Sequence, residues 1–447
     1  MSKVELKGGT TIAAPKLPKV QYGRGVYVFD TTGKQYIDGS SGPAVYSLGH
    51  GNEEVNEAVA AQLRQIAHGY RYLFTSDPLE ELSDLVREAC GPDFTSMVFV
   101  SGGSEAVESA LKLALQYHSA LGNSSRRRFI SRQRSWHGNT LGALSISGFL
   151  ERRAPFEGAL IPASLISPAN EYRPLDGVSA DELGRACAGE LEQEILRIGA
   201  DNVAAFVFEP VVGAAGGVVP APKGYARAVR EVCDRHGVLM IADEVMCGSG
   251  RCGTWRALEF DDVVPDIMPI AKGLGGGYIP LGATVYTKKV AEVINGAYGG
   301  PMTGHTFTGH TAACAAGVAV QKIIKRDRLI ERVQTAGQRF GEMLRAELAD
   351  IGAVGDIRGR GFFWGIEFVE DRERKTPFAA EKQLYLKVRQ RSLANGLICY
   401  PSGGNVDGVL GDTVILAPPY IATDNELAEI VEKFARSSRE ALSELGR

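Results

Sequence analysis

Through the middle of the chain, apolar residues fall in short unbroken blocks rather than in strict alternation. Met97-Val-Phe-Val, Arg128-Phe-Ile-Ser, Val203-Ala-Ala-Phe-Val-Phe, Val238-Leu-Met-Ile-Ala, Ile267-Met-Pro-Ile and Leu281-Gly-Ala-Thr-Val-Tyr are such blocks. Blocks of this length predict strands buried on both faces, with helical segments between them. From about residue 96 to 290 the alternation predicts an α/β architecture: a mostly parallel sheet covered by helices on both sides. Ahead of it, Tyr27-Val-Phe-Asp and Lys34-Gln-Tyr-Ile-Asp flank Thr31-Thr-Gly, the pattern of a hairpin. Residues 53–67 and 78–90 have helical periodicity, and residues 1–24 read as a polar, proline-bearing arm. Beyond about residue 325 the texture changes. Charged helices over 328–350 and 379–394 surround Gly361-Phe-Phe-Trp-Gly-Ile-Glu-Phe, and a last helix covers about 424–444. The pattern divides the chain into an N-terminal segment (1–59), a large unit (60–325) and a small α+β unit (326–447) that the N-terminal segment joins in space.

Composition narrows the function classes. The chain has 447 residues, 44% hydrophobic and 23% charged, ordinary for a globular protein. A net charge of −4 gives no reason to expect nucleic acid or an anionic membrane as partner. No apolar stretch approaches the roughly 20 residues of a membrane span, and the N-terminus lacks the apolar core of a secretory signal. The seven cysteines are odd in number and scattered, which fits unpaired thiols in a reducing, cytoplasmic compartment. Cys247 and Cys252 lack the close paired spacing of a zinc site, so no metal is expected.

Lys272 carries the sharpest chemical signal. It lies between the block ending at Ile270 and the loop Gly273-Leu-Gly-Gly-Gly, and 272 − 243 = 29 residues beyond Asp243, which ends another block. A lysine there either snorkels to the surface from a strand end or is desolvated, and a desolvated amine is a Schiff-base nucleophile. A carboxylate at the end of a neighbouring strand is what a pyridoxal 5′-phosphate ring nitrogen needs beside it. A second motif, Val98-Phe-Val-Ser-Gly-Gly-Ser-Glu-Ala-Val-Glu, turns from strand into a helix opening at about Ser104. Its free N–H groups suit a phosphate, and capping of the helix by Ser104 is the other reading. Trp136 and His137 precede Gly138 in the loop after the block at 128–131; the indole either stacks on a planar cofactor or belongs to the core. Gly304-His-Thr-Phe-Thr-Gly-His-Thr-Ala-Ala pairs hydroxyls with glycines ahead of a small-residue helix, suiting a second phosphate contact or close helix packing.

Together these motifs resemble the class III aminotransferases, the ornithine, GABA and ω-amino-acid transaminase group of fold-type I pyridoxal-phosphate enzymes. The resemblance runs from about Val26 to Lys433, and its most specific stretch is Ile241-Ala-Asp-Glu-Val-Met-Cys-Gly-Ser-Gly-Arg-Cys-Gly through Lys272-Gly-Leu-Gly-Gly-Gly-Tyr-Ile-Pro-Leu-Gly-Ala. It implies a large domain with a mostly parallel seven-stranded sheet and a small α+β domain built from both termini. It also implies pyridoxal 5′-phosphate on Lys272, with Asp243 at the ring nitrogen and Val245 and Trp136 on the two ring faces. Gly103 and Ser104 would bind the phosphate, His137 and Glu209 would support the cofactor, and Thr306 would reach the phosphate of the neighbouring subunit in a homodimer. Tyr46, Tyr72, Phe74, Trp136 and Arg358 are the candidates to line the substrate pocket.

Departures from the family pattern bear on the substrate. Ala214 stands where GABA and ornithine enzymes carry a glutamate that shields an arginine resembling Arg358, so Arg358 is expected to stay open to a carboxylate. Met246 stands where those enzymes tend to have glutamine, as in the ω-amino-acid:pyruvate subgroup. Trp136 matches the dialkylglycine decarboxylase pattern Trp-His-Gly, but Pro43 and Met246 replace two glutamines of that enzyme. The expectation is a ping-pong transaminase in which an amine donor passes its amino group to a keto acid, with pyruvate preferred. A decarboxylating transaminase and a 2-oxoglutarate-using enzyme of the GABA or ornithine type are the alternatives. Ser249 replaces the family's phenylalanine, and nothing in the sequence explains it.

Overall fold

The computed structural model describes residues 17–446. At its centre lies a seven-stranded sheet in the order Phe94–Val100, Gly282–Thr287, Ile267–Ile270, Leu239–Ala242, Val203–Phe208, Arg128–Arg132, Ala163–Ile166. Gly282–Thr287 runs antiparallel to both neighbours. The other pairs are parallel. The four strands Val203–Phe208, Leu239–Ala242, Ile267–Ile270 and Gly282–Thr287 are buried at every position. Helices press on both faces, so neither face of a strand is left to be polar, and the unbroken apolar blocks follow.

Strand periodicity sorts these blocks between two cores. Ala205, Val207, Leu239 and Ile241 pack with helix Gly103–Ala120 and helix Lys288–Tyr298. Phe206, Phe208, Met240 and Ala242 point the other way, onto helices Ala180–Ile198 and Tyr225–His236. Alternate residues of one strand therefore fill different cores. Six of the seven strands coincide with blocks visible in the sequence. The seventh, Ala163–Ile166, does not: it is four residues long, sits at the sheet edge and is only partly buried.

Both chain ends share a further core. Strands Val354–Arg360, Phe363–Phe368, Asp412–Leu416 and Tyr400–Gly403 form an antiparallel sheet backed by helices Leu329–Glu347, Leu384–Ala394 and Asp424–Ser443. Val26, Ile37, Leu48 and Val55 are buried in the same cluster as Phe340, Phe368 and Phe434. The hairpin Tyr27–Asp30/Gln35–Asp38 forms as expected, and its second strand pairs in parallel with Leu397–Ile398. Val20–Arg24 adds a third strand, where the sequence predicts only an arm; residues 1–16 of that arm lie outside the described residues. Helix Asp424–Ser443 starts at a reciprocal cap: the Glu426 amide donates to the Thr423 hydroxyl, and the Thr423 amide donates to the Glu426 carboxylate.

Loops leave the sheet at the C-terminal ends of its parallel strands. Ser101–Ser104, Gln133–Thr140, Glu209 and Asp243 each follow one of them directly, and Lys272 follows another after Ala271. Ligands of open α/β sheets bind along this edge. Among the described residues, no helix is long and apolar enough to cross a membrane.

Candidate active site

The loops at this edge enclose a cavity of about 350 Å³. Its wall includes Gly103, Ser104, Trp136, His137, Glu209, Asp243, Val245 and Lys272, so eight residues singled out from sequence converge there from five separate loops.

Lys272 opens onto the cavity and protein surrounds the rest of it. Its backbone is left-handed, at φ 47°. A non-glycine residue held there is strained, and such strain gathers at functional sites. Burial pulls the Lys272 amine down from 10.5 to about 8, although Asp243 and Glu209 both favour its charged form. An amine in that range has a substantial neutral, nucleophilic fraction at physiological pH.

Asp243 ends its strand with its carboxylate facing the cavity and is fixed from both sides. Oδ2 lies 2.8 Å from His137 Nδ1, and Oδ1 accepts a hydrogen bond from the Val245 amide at 3.0 Å. His137 Nε2 lies 3.1 Å from the Ser131 hydroxyl, so both ring nitrogens are engaged. The next residue, Glu244, points away. It accepts from the amides of Ala257 and Leu258, and burial pushes its carboxyl up to about 7. Of the two adjacent acids, only Asp243 reaches the cavity. Glu209 accepts from the Trp136 and Gly213 amides, both at 2.9 Å, and so pins the loop that carries the indole. Burial raises its carboxyl, helped by Asp243 and opposed by His137.

Helix Gly103–Ala120 begins at the cavity. Its N-cap, Gly102, has no side chain to accept from the first-turn amides. Those donors face an anion site backed by the helix dipole. Ser104 does not cap the helix; its hydroxyl accepts from the Asn139 amide at 3.0 Å and ties this turn to the Trp136 loop. Space is short here. A Cβ on Gly103 would lie 2.7 Å from Val245 Cγ1, and one on Gly138 would lie 2.8 Å from the Ser104 hydroxyl. The glycines of both motifs are therefore required by close approach. An aldehyde-reactive amine, an anion-binding helix end, a fixed carboxylate and two facing apolar groups form a donor set that fits pyridoxal phosphate.

Five expected residues do not line the cavity. The ring of Tyr46 sits behind the wall, against Gly42 and the lining residue Gly277. Thr306 is exposed on the segment Met302–His310. Arg358 corrects the expectation of an open guanidinium. Nη1 donates to Asp356 at 2.9 Å and to the fully buried Glu367 at 2.8 Å. Nε and Nη2 donate to the carbonyls of Val218 and Gly216, each at 2.8 Å. The acids of its own hairpin do what the missing glutamate at 214 was expected to do. Tyr72 and Phe74, also expected near the substrate, are 85% and 66% exposed.

Sequence reasoning passed over Ser101, Val45 and the run Ile279-Pro-Leu in the wall. The run directly follows the glycine-rich loop, which was the signal available for it. Ser249 has a left-handed backbone (φ 53°), and its carbonyl accepts from the Tyr420 hydroxyl at 3.0 Å. A Cβ on Gly273 would lie 3.1 Å from Ser249 Cβ, so this turn packs directly behind Lys272.

The class-III aminotransferase family model matches residues 12–437. The uncharacterized aminotransferase YodT of Bacillus subtilis (strain 168) is 40% identical over 420 residues, 94% of each chain. The chloroplastic gamma aminobutyrate transaminase 3 of Solanum lycopersicum is 32% identical, covering 94% of this chain and 80% of its own. Among solved structures, the omega transaminase from Pseudomonas jessenii in complex with PMP superposes with a TM-score of 0.89 at 31% identity, over 96% of this chain and 94% of that one. With a match over nearly its whole length, the chain belongs to the class-III aminotransferases, fold-type I enzymes that work with pyridoxal phosphate.

Proposed function

We propose that this enzyme transfers an amino group from an ω-amino acid or simple amine to a keto acid by a ping-pong cycle, with pyridoxal phosphate held on Lys272. The observation that carries the reading is the Lys272 amine itself: desolvated, lowered to about 8 and flanked by Asp243 and Glu209 in one cavity. Bound there, the cofactor supplies an aldehyde that holds the amine and a ring that takes up electrons as a C–H bond breaks. The protein's part is distributed over named groups. Gly103, Ser104 and the helix end hold the phosphate. Val245 and Trp136 cover the ring faces, and Asp243, kept in place by His137, holds a proton at the ring nitrogen. Glu209 fixes the Trp136 loop. Lys272, once displaced by the donor, moves the proton as base and then acid.

The functional unit in this reading is a homodimer, with Thr306 contacting the phosphate in the neighbouring subunit. Thr306 lies in an exposed apolar region with Met302 and Phe307, and Tyr70, Tyr72, Leu73 and Phe74 extend the exposed apolar surface. Exposed patches of this kind mark interaction surfaces. All seven cysteines are free and six are buried, which supports a cytoplasmic location. We take residues 60–325 as the cofactor domain and the two flanking segments as the small domain; the core shared by both ends supports that division.

Pyruvate is the acceptor this cavity favours over 2-oxoglutarate. Among the described residues Lys272 is the only lysine or arginine in its wall, and Ala214 and Met246 are apolar, so a second carboxylate would enter unpaired. With one good donor, kcat/KM for pyruvate should exceed that for 2-oxoglutarate by at least about tenfold, roughly 1.4 kcal/mol in transition-state binding. A tenfold ratio the other way would place the enzyme with the 2-oxoglutarate users. Trp136 keeps a decarboxylating reaction in view, and carbon dioxide release from a dialkylated amino acid during turnover would establish it.

The Lys272 amine also sets a pH dependence. Only its neutral form attacks an aldehyde, so below its value of about 8 the reactive fraction falls, and above it the fraction saturates. The rate at which apoprotein takes up pyridoxal phosphate, followed by absorbance, should rise through pH 7–8 and level off by about pH 9. A rate still climbing tenfold between about pH 9 and 10 would mark an ordinary, solvated lysine.

A further inference from the structure

The cavity lacks an obvious partner for the carboxylate that a keto acid must bring. A carboxylate leaving water needs a cation or several donors. Lys272 is the only lysine or arginine in the wall, and the proposed chemistry already uses it. Nearby arginines already hold other partners, although Arg134 and Arg251 each keep buried N–H groups without one. Arg358 is held by two carboxylates and two carbonyls. Arg134 donates to the Gly404 carbonyl and lies 3.7 Å from Glu151. Arg251 donates to the carbonyls of Phe362 and Pro418.

Arg152 is different. It lies half-buried on the one-turn helix Leu150–Arg153. Its guanidinium is 4.7 Å from the ring centroid of Trp136 and 4.7 Å from that of Phe149, and those two rings meet edge to face at 5.9 Å. Trp136 is a wall residue. Tyr400 is its polar neighbour: burial raises the phenol, and the charge of Arg152 and a hydrogen bond from it oppose that rise. Tyr400 in turn packs on the cluster containing Ala44, Ile415 and the wall residue Met246, so Arg152 stands just behind the wall, between Trp136 and the side of Met246. Among the described residues Arg152 takes part in no ion pair. Stacking on a ring occupies the faces of a guanidinium and leaves its N–H edges to bind a carboxylate in two-pronged fashion.

Resting on the transaminase reading above, we infer that Arg152 is the carboxylate-binding residue of the substrate site. Trp136 and Phe149 seat its guanidinium, and Tyr400 borders it. A single carboxylate, from the keto acid or from an amino-acid donor, pairs with the N–H groups that Tyr400 leaves over. An uncharged amine or aldehyde uses the same cavity without it. One arginine serves one carboxylate, which agrees with a monocarboxylate acceptor.

The test compares wild-type holoenzyme with Arg152→Met and Arg152→Lys, using 1-phenylethylamine as donor and either pyruvate or butanal as acceptor. Losing one charge-assisted pair predicts that Arg152→Met lowers kcat/KM for pyruvate by about 30-fold or more, mostly through KM. The butanal value should move by no more than about threefold, because that acceptor has no charge to pair. Arg152→Lys should fall between, since it restores the charge without the fork. Equal losses for both acceptors would mean that Arg152 only steadies Trp136, and an unchanged pyruvate value would mean that the carboxylate binds elsewhere. Either result overturns the assignment while the wild type remains an active transaminase. A wild type that aminates neither acceptor would overturn the transaminase reading as well, so the two failures are told apart by the wild-type rate.

Discussion

Lys272→Ala should abolish turnover while leaving a folded protein that still binds the cofactor. The phosphate contacts proposed at the helix end of Gly103–Ala120 and the ring contacts proposed for Val245 and Trp136 do not pass through the lysine. What disappears is the covalent tether and the group that moves the proton. Loss of a proton-transfer group alone costs on the order of 100-fold or more, so kcat should fall by at least that much. Alanine keeps the Cβ, so the left-handed backbone at φ 47° is as strained in the variant as in the wild type. Steady-state rates and cofactor retention after gel filtration check both halves. Retention of more than about a tenth of the wild-type rate would show that another group moves the proton.

Asp243→Asn should produce the second largest loss. The amide keeps the size of the side chain and can still accept from the Val245 amide, so the fold should hardly change. It cannot hold a proton at the ring nitrogen by charge, and it weakens the hydrogen bond to His137, now 2.8 Å long. Exchanging a charge-assisted bond for a neutral one costs on the order of 1.5–3 kcal/mol, which predicts roughly 10- to 150-fold slower half-reactions with any amine donor. The readout separating a chemical role from a structural one is the cofactor spectrum. Its pH dependence should change in Asp243→Asn, whereas a merely loosened site would lose cofactor with its spectrum intact. Half-reaction rates within about threefold of wild type would remove Asp243 from the ring nitrogen.

Much of the site was legible because it is made of short local signals. A strand that ends in a loop at the ligand edge places its next residue in the cavity, so Asp243 and Lys272 could be located from the blocks before them. The glycines at 103 and 138 are visible for a similar reason: close approach removes the side chain, and that leaves a mark in the sequence. Asp243 and Glu244 show where such signals stop. Both are acidic, adjacent and buried, and only the packing of Glu244 against the amides of Ala257 and Leu258 assigns the cavity to Asp243.

The sequence by itself determined the buried strands, the order of the chemical motifs and the family, because each depends on residues close together in the chain. Tertiary structure decided the edges and the charges. Val20–Arg24, paired with the adjacent Tyr27–Asp30, and Ala163–Ile166, paired with Arg128–Arg132, are edge strands, and these carry little of the apolar block that marks a buried one. Arg358 reads as a free cation until Glu367 and the carbonyls of residues 216 and 218 close around it. Arg152 carries no signal in the sequence; Trp136, Phe149 and Tyr400 gather beside it only in the fold. Whether a charge is spent or available depends on what lies within a few ångströms across the fold, and local sequence does not encode that distance.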